Sequence, residues 1–184
     1  MENNDAQAKQ TAIFAGGCFW CMEPVFDKMP GVLSVMPGYT GGTTSNPSYQ
    51  EVCTGETGHV EAVRIVFDPA RVSYRELLRV FWRNIDPTTK NRQFCDYGSQ
   101  YQTAVFYADE EQRREAEESR EEAQRENLLG AAVVTEILPA SEFYPAEEFH
   151  RQYYRKEPYH YQRYHDGCGR NWRLKELWGG GKSE

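Results

Sequence analysis

Along most of the chain the apolar residues recur in short bursts whose period switches between two and three to four, the signature of strands alternating with helices. Thr11 to Ala15 opens the series as a strand and runs into Gly16-Gly17, a flexible corner. The next segment is expected to be a helix. It contains Pro24, and because proline lacks the N–H that later helical turns need, Pro24 is expected in the first turn, with Cys18 and Cys21 close to the helix N-terminus. After a Pro30-Gly31 turn, Val32 to Met36 forms the second strand. Pro37 to Asn46, rich in Gly, Asn, Pro and Ser, is expected to be a long loop. Val60 to Phe67 is the third strand, stopped by Asp68-Pro69. Ser73-x-x-Glu76 is a capping box that starts an amphipathic helix through Leu77, Leu78, Phe81 and Trp82, closed by Asp86-Pro87. A polar loop from Thr88 to Gln100 leads to a fourth strand, Gln102 to Tyr107. Asp109 to Glu126 is a helix laced with Glu/Arg pairs at spacings of three and four, which suits a solvated face. Ala132 to Leu138 is a fifth strand, Pro145 to Tyr154 a short helix, and the rest an irregular, aromatic tail.

The first six elements run strand, helix, strand, strand, helix, strand, the split βαβ order. The expected class is α+β: a ferredoxin-like sandwich with a mixed, mainly antiparallel sheet, helices packed on it and an irregular aromatic C-terminal extension. With 184 residues and no composition break, residues 11–178 are expected to form one domain, residues 1–10 a disordered polar leader and residues 179–184 a flexible tail. A mean hydropathy of −0.79 and the lack of a long apolar run exclude a membrane span. A net charge of −7 speaks against nucleic acid, which requires a concentrated basic surface. The Tyr/Arg-rich stretch from Tyr153 to Trp172 is the one place a binding surface could hide, and tyrosines there are expected to pack over the core. Five cysteines, odd in number and mostly far apart, do not look like a disulfide framework; a reducing, cytoplasmic setting and a monomer are expected.

Candidate chemistry concentrates in Gly16-Gly17-Cys18-Phe19-Trp20-Cys21. A helix N-terminus stabilises an anion, which makes Cys18 a candidate nucleophile, and Cys21, three residues on, a disulfide partner. Three other readings compete. A zinc half-site lacks a second ligand pair at finger spacing. A buried structural thiol suits Cys53 and Cys95 better than this pair. A thioredoxin-like exchanger also uses Cys-x-x-Cys, but would gain nothing from Phe19 and Trp20 beside its sulfur. Those rings suit a methyl group held against aromatic faces, unless Trp20 is simply core. In the strand from Val60, Glu61 alternates onto the face of Val63, Ile65 and Phe67, where desolvation would keep its carboxyl protonated. That makes Glu61 a candidate general acid, unless it lies exposed at the strand's start. Attack of a thiol on a sulfoxide sulfur needs a proton donor and hydrogen bonds at the departing oxygen. With twelve tyrosines, chemistry alone picks none of them.

Gly17-Cys18-Phe19-Trp20-Cys21, Gly38-Tyr39-Thr40-Gly41-Gly42, Asn46 to Cys53, Thr57 to Val63, Asp96 to Tyr101 and Tyr144-Pro145-Ala146-Glu147 together resemble the A-class peptide methionine sulfoxide reductases, over roughly residues 11–178. The resemblance implies reduction of the S epimer of methionine sulfoxide, free and in oxidised proteins. It implies Cys18 as the nucleophile that becomes a sulfenic acid and Glu61 as proton donor. It likewise implies Tyr49 and Tyr101 as partners of the sulfoxide oxygen, Asp96 as a second acid, and Phe19 and Trp20 as the wall around the substrate methyl. No bound cofactor and no metal are expected, with thioredoxin as external reductant of the disulfide that clears the sulfenic acid. Cys21 is the favoured resolving thiol. Some members carry recycling cysteines in a glycine-rich tail, and Cys168, between Gly167 and Gly169, is a possible additional one.

Overall fold

The structure, a computed structural model, describes residues 9–179. The expected leader and tail lie outside the described residues apart from Lys9, Gln10 and Gly179, and Gln10 already opens the first strand. In chain order the elements are β1 (Gln10–Gly16), α1 (Phe19–Asp27), β2 (Val32–Thr40), α2 (Tyr49–Cys53), β3 (Val60–Phe67), α3 (Tyr74–Arg83), β4 (Arg92–Gln93), β5 (Asp96–Tyr97) and β6 (Thr103–Tyr107). There follow α4 (Glu110–Glu126), β7 (Glu136–Pro139), β8 (Phe143–Pro145), α5 (Tyr153–Lys156), α6 (Pro158–Gly167) and α7 (Arg170–Trp178), with 3-10 turns at Ser99–Tyr101 and Glu148–His150. Six strands make one sheet in the order β7-β6-β1-β3-β2-β8, antiparallel except for the parallel pair β6 and β7. The fold is therefore mixed α+β.

The core follows from strand parity. Phe14 of β1, fully buried, stands 5.0 Å from Phe81 of α3 and 5.7 Å from Phe26 of α1, ring centre to ring centre. Each such side chain contributes about 1.5–3 kcal/mol by burial. Val63, Ile65 and Phe67 of β3 join this cluster, while Val60 and Ala62 belong to a second one with Ala15, Ala104 and Phe106. The capping box at Ser73 and Glu76 forms as expected. The charged helix α4 buries only Gln112, Ala116, Ser119 and Ala123, a narrow stripe against α3. Arg75 and Arg83 of α3 reach across to Glu118, Glu122 and Glu126, and the Trp82 indole donates to Ser119 Oγ at 2.9 Å.

Six local expectations need correction. The short helix expected over Pro145 to Tyr154 is instead the end of β8, the 3-10 turn Glu148–His150 and the start of α5. Pro24 sits in the second turn of α1, leaving the Trp20 carbonyl without its helical donor; the Gly16-Gly17 corner, not the proline, fixes where the helix starts. β2 runs on to Thr40, because the Gly-rich segment first pairs with β3 and β8. Gly38 lies so close to β8 that a Cβ there would meet the Tyr144 carbonyl at 2.4 Å. The polar loop from Thr88 contains the β4–β5 hairpin, and the fifth strand is confined to Glu136–Pro139. The aromatic tail is not irregular. It forms α5, α6 and α7, with Pro158 at the first position of α6 and Gly169, in the left-handed region at φ 72°, between α6 and α7.

Candidate active site

Cys18 is the N-cap of α1, 7% exposed, at the point where β1 leaves the sheet. The corner is tight for a reason. Gly17 has φ +80°, and a Cβ there would come within 2.5 Å of Gln93 Cβ on the hairpin. Gln93 is itself pinned: its amide oxygen accepts from the Asp86 N–H at 2.9 Å and its NH₂ donates to the Asp86 carbonyl at 2.6 Å. The hairpin thus presses on the corner that carries the nucleophile. The depressed thiol expected from the helix N-terminus is not what results. Burial pushes the Cys18 thiol up, and Cys21, Glu61 and Asp96 add to the effect. Cys21, 2% exposed and one turn on, is lowered to about 7 by its hydrogen bond with Cys18, against the effect of burial, with help from the Arg170 guanidinium.

Glu61 is where parity placed it. It is 2% exposed, and its Oε2 accepts the Phe19 N–H, in the first turn of α1, at 3.0 Å. Burial raises its pKa to about 8, so at neutral pH the carboxyl keeps its proton. Tyr49 is set by a capping box on Ser48 at the start of α2, and Tyr101 by the 3-10 turn after Gly98. Both hydroxyls are pushed up by burial first and then by Glu61, so both remain donors, and both feel Cys18. Asp96 of β5 is raised by burial and accepts a hydrogen bond from the Tyr164 hydroxyl. Cys18 and Cys21 of α1, Tyr49 of α2, Glu61 of β3, Asp96 of β5 and Tyr101 of the 3-10 turn therefore converge from five different elements.

Phe19 belongs to the main core cluster, and Trp20 packs against its edge. Phe19 lies 5.2 Å from the His150 ring and 5.8 Å from Tyr39; Trp20, only partly buried, stacks on Tyr153 at 3.8 Å and 8°. The Trp20 indole donates to His150 Nδ1 at 3.1 Å, which leaves His150 Nε2 to face Glu147 at 3.3 Å. Glu147 also accepts the Tyr39 hydroxyl and the Tyr49 N–H, both at 3.1 Å. Sequence reasoning did not single out His150, Tyr153, Tyr164 or Arg170. Glu147 stood in a matched motif without a role.

The family profile described as "Peptide methionine sulfoxide reductase" matches residues 10–181. A peptide methionine sulfoxide reductase MsrA of Bacillus licheniformis is 48% identical over 174 residues, 95% of this chain and 96% of that protein. This chain belongs to the peptide methionine sulfoxide reductase family. Among solved structures, methionine sulfoxide reductase A of Corynebacterium diphtheriae is similar at a TM-score of 0.76 with 36% identity, over 84% of this chain and 77% of that one. Mxr1 of Saccharomyces cerevisiae in reduced form gives 0.78 with 32% identity, over 84% and 89%. Mxr1 has also been solved in complex with Trx2, where the likeness, TM-score 0.57 at 23% identity over 83% and 89%, concerns the fold.

In this methionine sulfoxide reductase the remaining cysteines depart from expectation. Cys95 and Cys168 form a disulfide across 73 residues, so Cys168 is not a spare thiol in this structure, and Cys95 is no buried structural thiol. Their pairing also removes the spacing argument for a reducing compartment. Cys53, expected buried, is exposed. The disulfide ties the β4–β5 hairpin, which bears Asp96, to the α6–α7 junction. On either side of that junction stand Tyr164, which reaches Asp96, and Arg170, 4% exposed, whose guanidinium lies 4.2 Å from the Phe94 ring centre and donates to the Asn84 carbonyl at 2.7 Å. Cys95, Asp96 and Cys168 are the one group of three clustered metal-type ligands among the described residues, and two of the three sulfur and oxygen donors are bonded to each other. No described helix is long and apolar enough to cross a membrane.

Proposed function

We propose that the chain reduces the S epimer of methionine sulfoxide, free and in proteins, at Cys18. The observation that carries this is the protonated Glu61 carboxyl held against the helix start that bears Cys18. The Cys18 sulfur attacks the sulfoxide sulfur while Glu61 delivers a proton to the oxygen and recovers one from the Cys18 thiol. The sulfur–oxygen bond breaks, methionine leaves, and the hydroxyl ends on Cys18 as a sulfenic acid. Tyr49 and Tyr101, both un-ionised donors, and Asp96 steady that oxygen, and Phe19 and Trp20 face the methyl group. Cys21, one helical turn from Cys18, then attacks the sulfenic sulfur, expelling water and closing a Cys18–Cys21 disulfide. Two thiols have supplied two electrons and the two hydrogens of that water.

A thioredoxin as reductant is supported by the likeness to Mxr1 and its complex with Trx2. No bound cofactor is needed in this scheme. The strand order β6-β1-β3-β2 within the sheet supports a ferredoxin-like split βαβ core, and residues 11–178 as a single domain working as a cytoplasmic monomer complete the reading. Single-turnover and steady-state assays test it. Cys18→Ser abolishes both. Cys21→Ser gives one methionine per chain and then fails to cycle with thioredoxin. Normal cycling by Cys21→Ser contradicts the scheme.

A further inference from the structure

Cys21 faces more than the sulfoxide site. It lines a cavity of about 710 Å³ between α1, α3 and α6, in the size range of small-molecule sites. Neither Cys18, Phe19, Trp20 nor Glu61 is part of its wall, so this is a separate approach to the cysteine pair. The charge of the wall is one-sided. Lys28, Arg79, Arg83 and Arg170 line it together with apolar groups such as Pro24 and Val25, and no carboxylate does, in a chain whose net charge is −7. Arg83 is already paired with Glu126. Lys28 and Arg79, both exposed, make no ion pair within 4 Å among the described residues. Arg170 is buried and its Nε, shut off from solvent, has no hydrogen-bond partner. A thiol at the wall of a cavity rimmed by cations fits a carboxylate-bearing ligand that brings its own sulfur.

We propose that this cavity binds small thiols carrying carboxylates, and that such a thiol reopens the Cys18–Cys21 disulfide by attacking Cys21 from it. The inference rests on Cys21 being the resolving thiol. The ligand's thiolate attacks the Cys21 sulfur, the Cys18–Cys21 bond breaks, and Cys18 leaves as a thiolate that takes a proton from the Glu61 carboxyl. A second thiolate then attacks the ligand sulfur of the mixed disulfide, releasing the oxidised ligand and the Cys21 thiolate. Two ligand thiols are oxidised to one disulfide as the protein's disulfide is reduced to two thiols, the two protons that the ligand thiols gave up to solvent returning to Cys21 and Glu61. The Lys28 and Arg79 cations raise the local concentration of the anion.

The test uses the full chain at low ionic strength, where charge steering is least screened. First, one equivalent of methionine sulfoxide without reductant gives a burst of methionine, and peptide mapping locates the bond formed. Recycling is then driven by mercaptosuccinate or by neutral 2-mercaptoethanol, compared at equal thiolate concentration. We expect mercaptosuccinate to be about tenfold more efficient. Succinate should compete with it, and rapid acid quench should find it on Cys21. The double variant K28E/R79E should lose the preference while keeping its burst and its rate with 2-mercaptoethanol. Equal efficiency of the two thiols, a preference that survives the double variant, or capture on Cys18 overturns the inference and leaves the Cys18–Cys21 reading standing. A burst that forms no Cys18–Cys21 bond overturns both.

Discussion

Glu61 shows how a single residue can be legible in sequence. An acid in register with Val63, Ile65 and Phe67 is expected on the core face; the structure buries it there, and burial raises its pKa to about 8. Replacing it by Gln keeps the shape and removes the proton: Glu61→Gln should slow single turnover by about 10²–10⁴-fold, the usual worth of a general acid. With Glu61 intact, the rate should hold below its pKa and fall as pH rises through about 8. Stability carries the same sign. Between the ordinary carboxyl value of 4.5 and about 8 the folded protein keeps a proton that the unfolded chain has lost, so this group's contribution falls as pH rises across that window. The slope in a urea titration series should flatten in Glu61→Gln. The tyrosines were not legible this way. Tyr49 and Tyr101 entered through family resemblance, because nothing in their own neighbourhoods separates them from ten others. The acidity of Cys18 was misjudged because a helix N-terminus was weighed and burial was not. Enclosure beside Cys21, Glu61 and Asp96 wins and pushes the Cys18 thiol up.

At the scale of elements, periodicity worked where an element buries a stripe and failed where it does not. β3 has the bounds expected for it, and α3 starts at its capping box. Ser73→Ala removes the acceptor of the Glu76 N–H, held at 3.2 Å, and should lower unfolding free energy by about 1 kcal/mol in urea titration with activity unchanged. By contrast α6 buries no residue, so no apolar rhythm could announce it; it is held by polar contacts such as Tyr164 to Asp96. The β4–β5 hairpin, two residues a side, is too short for alternation to register. The overrun of β2 past Met36 was hidden by Pro37 and Gly38, which signal a turn in sequence but here give the close approach to β8.

Over the whole molecule, the site is assembled from parts that lie far apart in sequence, and the C-terminal helices complete it: Tyr153 backs Trp20, Tyr164 reaches Asp96 and Arg170 adjoins Cys21. The Cys95–Cys168 disulfide fastens that segment, and spacing alone could not reveal it, because two cysteines 73 residues apart pair only when the fold brings the hairpin to the α6–α7 junction. Cys168→Ser should cost about 2–4 kcal/mol in denaturant unfolding, since the bond closes a long loop in the unfolded chain. It should leave the first turnover with methionine sulfoxide in place, because neither sulfur belongs to the Cys18–Cys21 pair. The most direct measurement of the central claim, that Cys18 takes the sulfoxide oxygen and Cys21 clears it, is peptide mapping by mass spectrometry after one equivalent of each epimer is added without reductant. The account predicts one methionine per chain from the S epimer, a new bond between Cys18 and Cys21, an unchanged Cys95–Cys168 bond, and no reaction of the R epimer. Equal conversion of both epimers, or a new bond that omits Cys18, would contradict it.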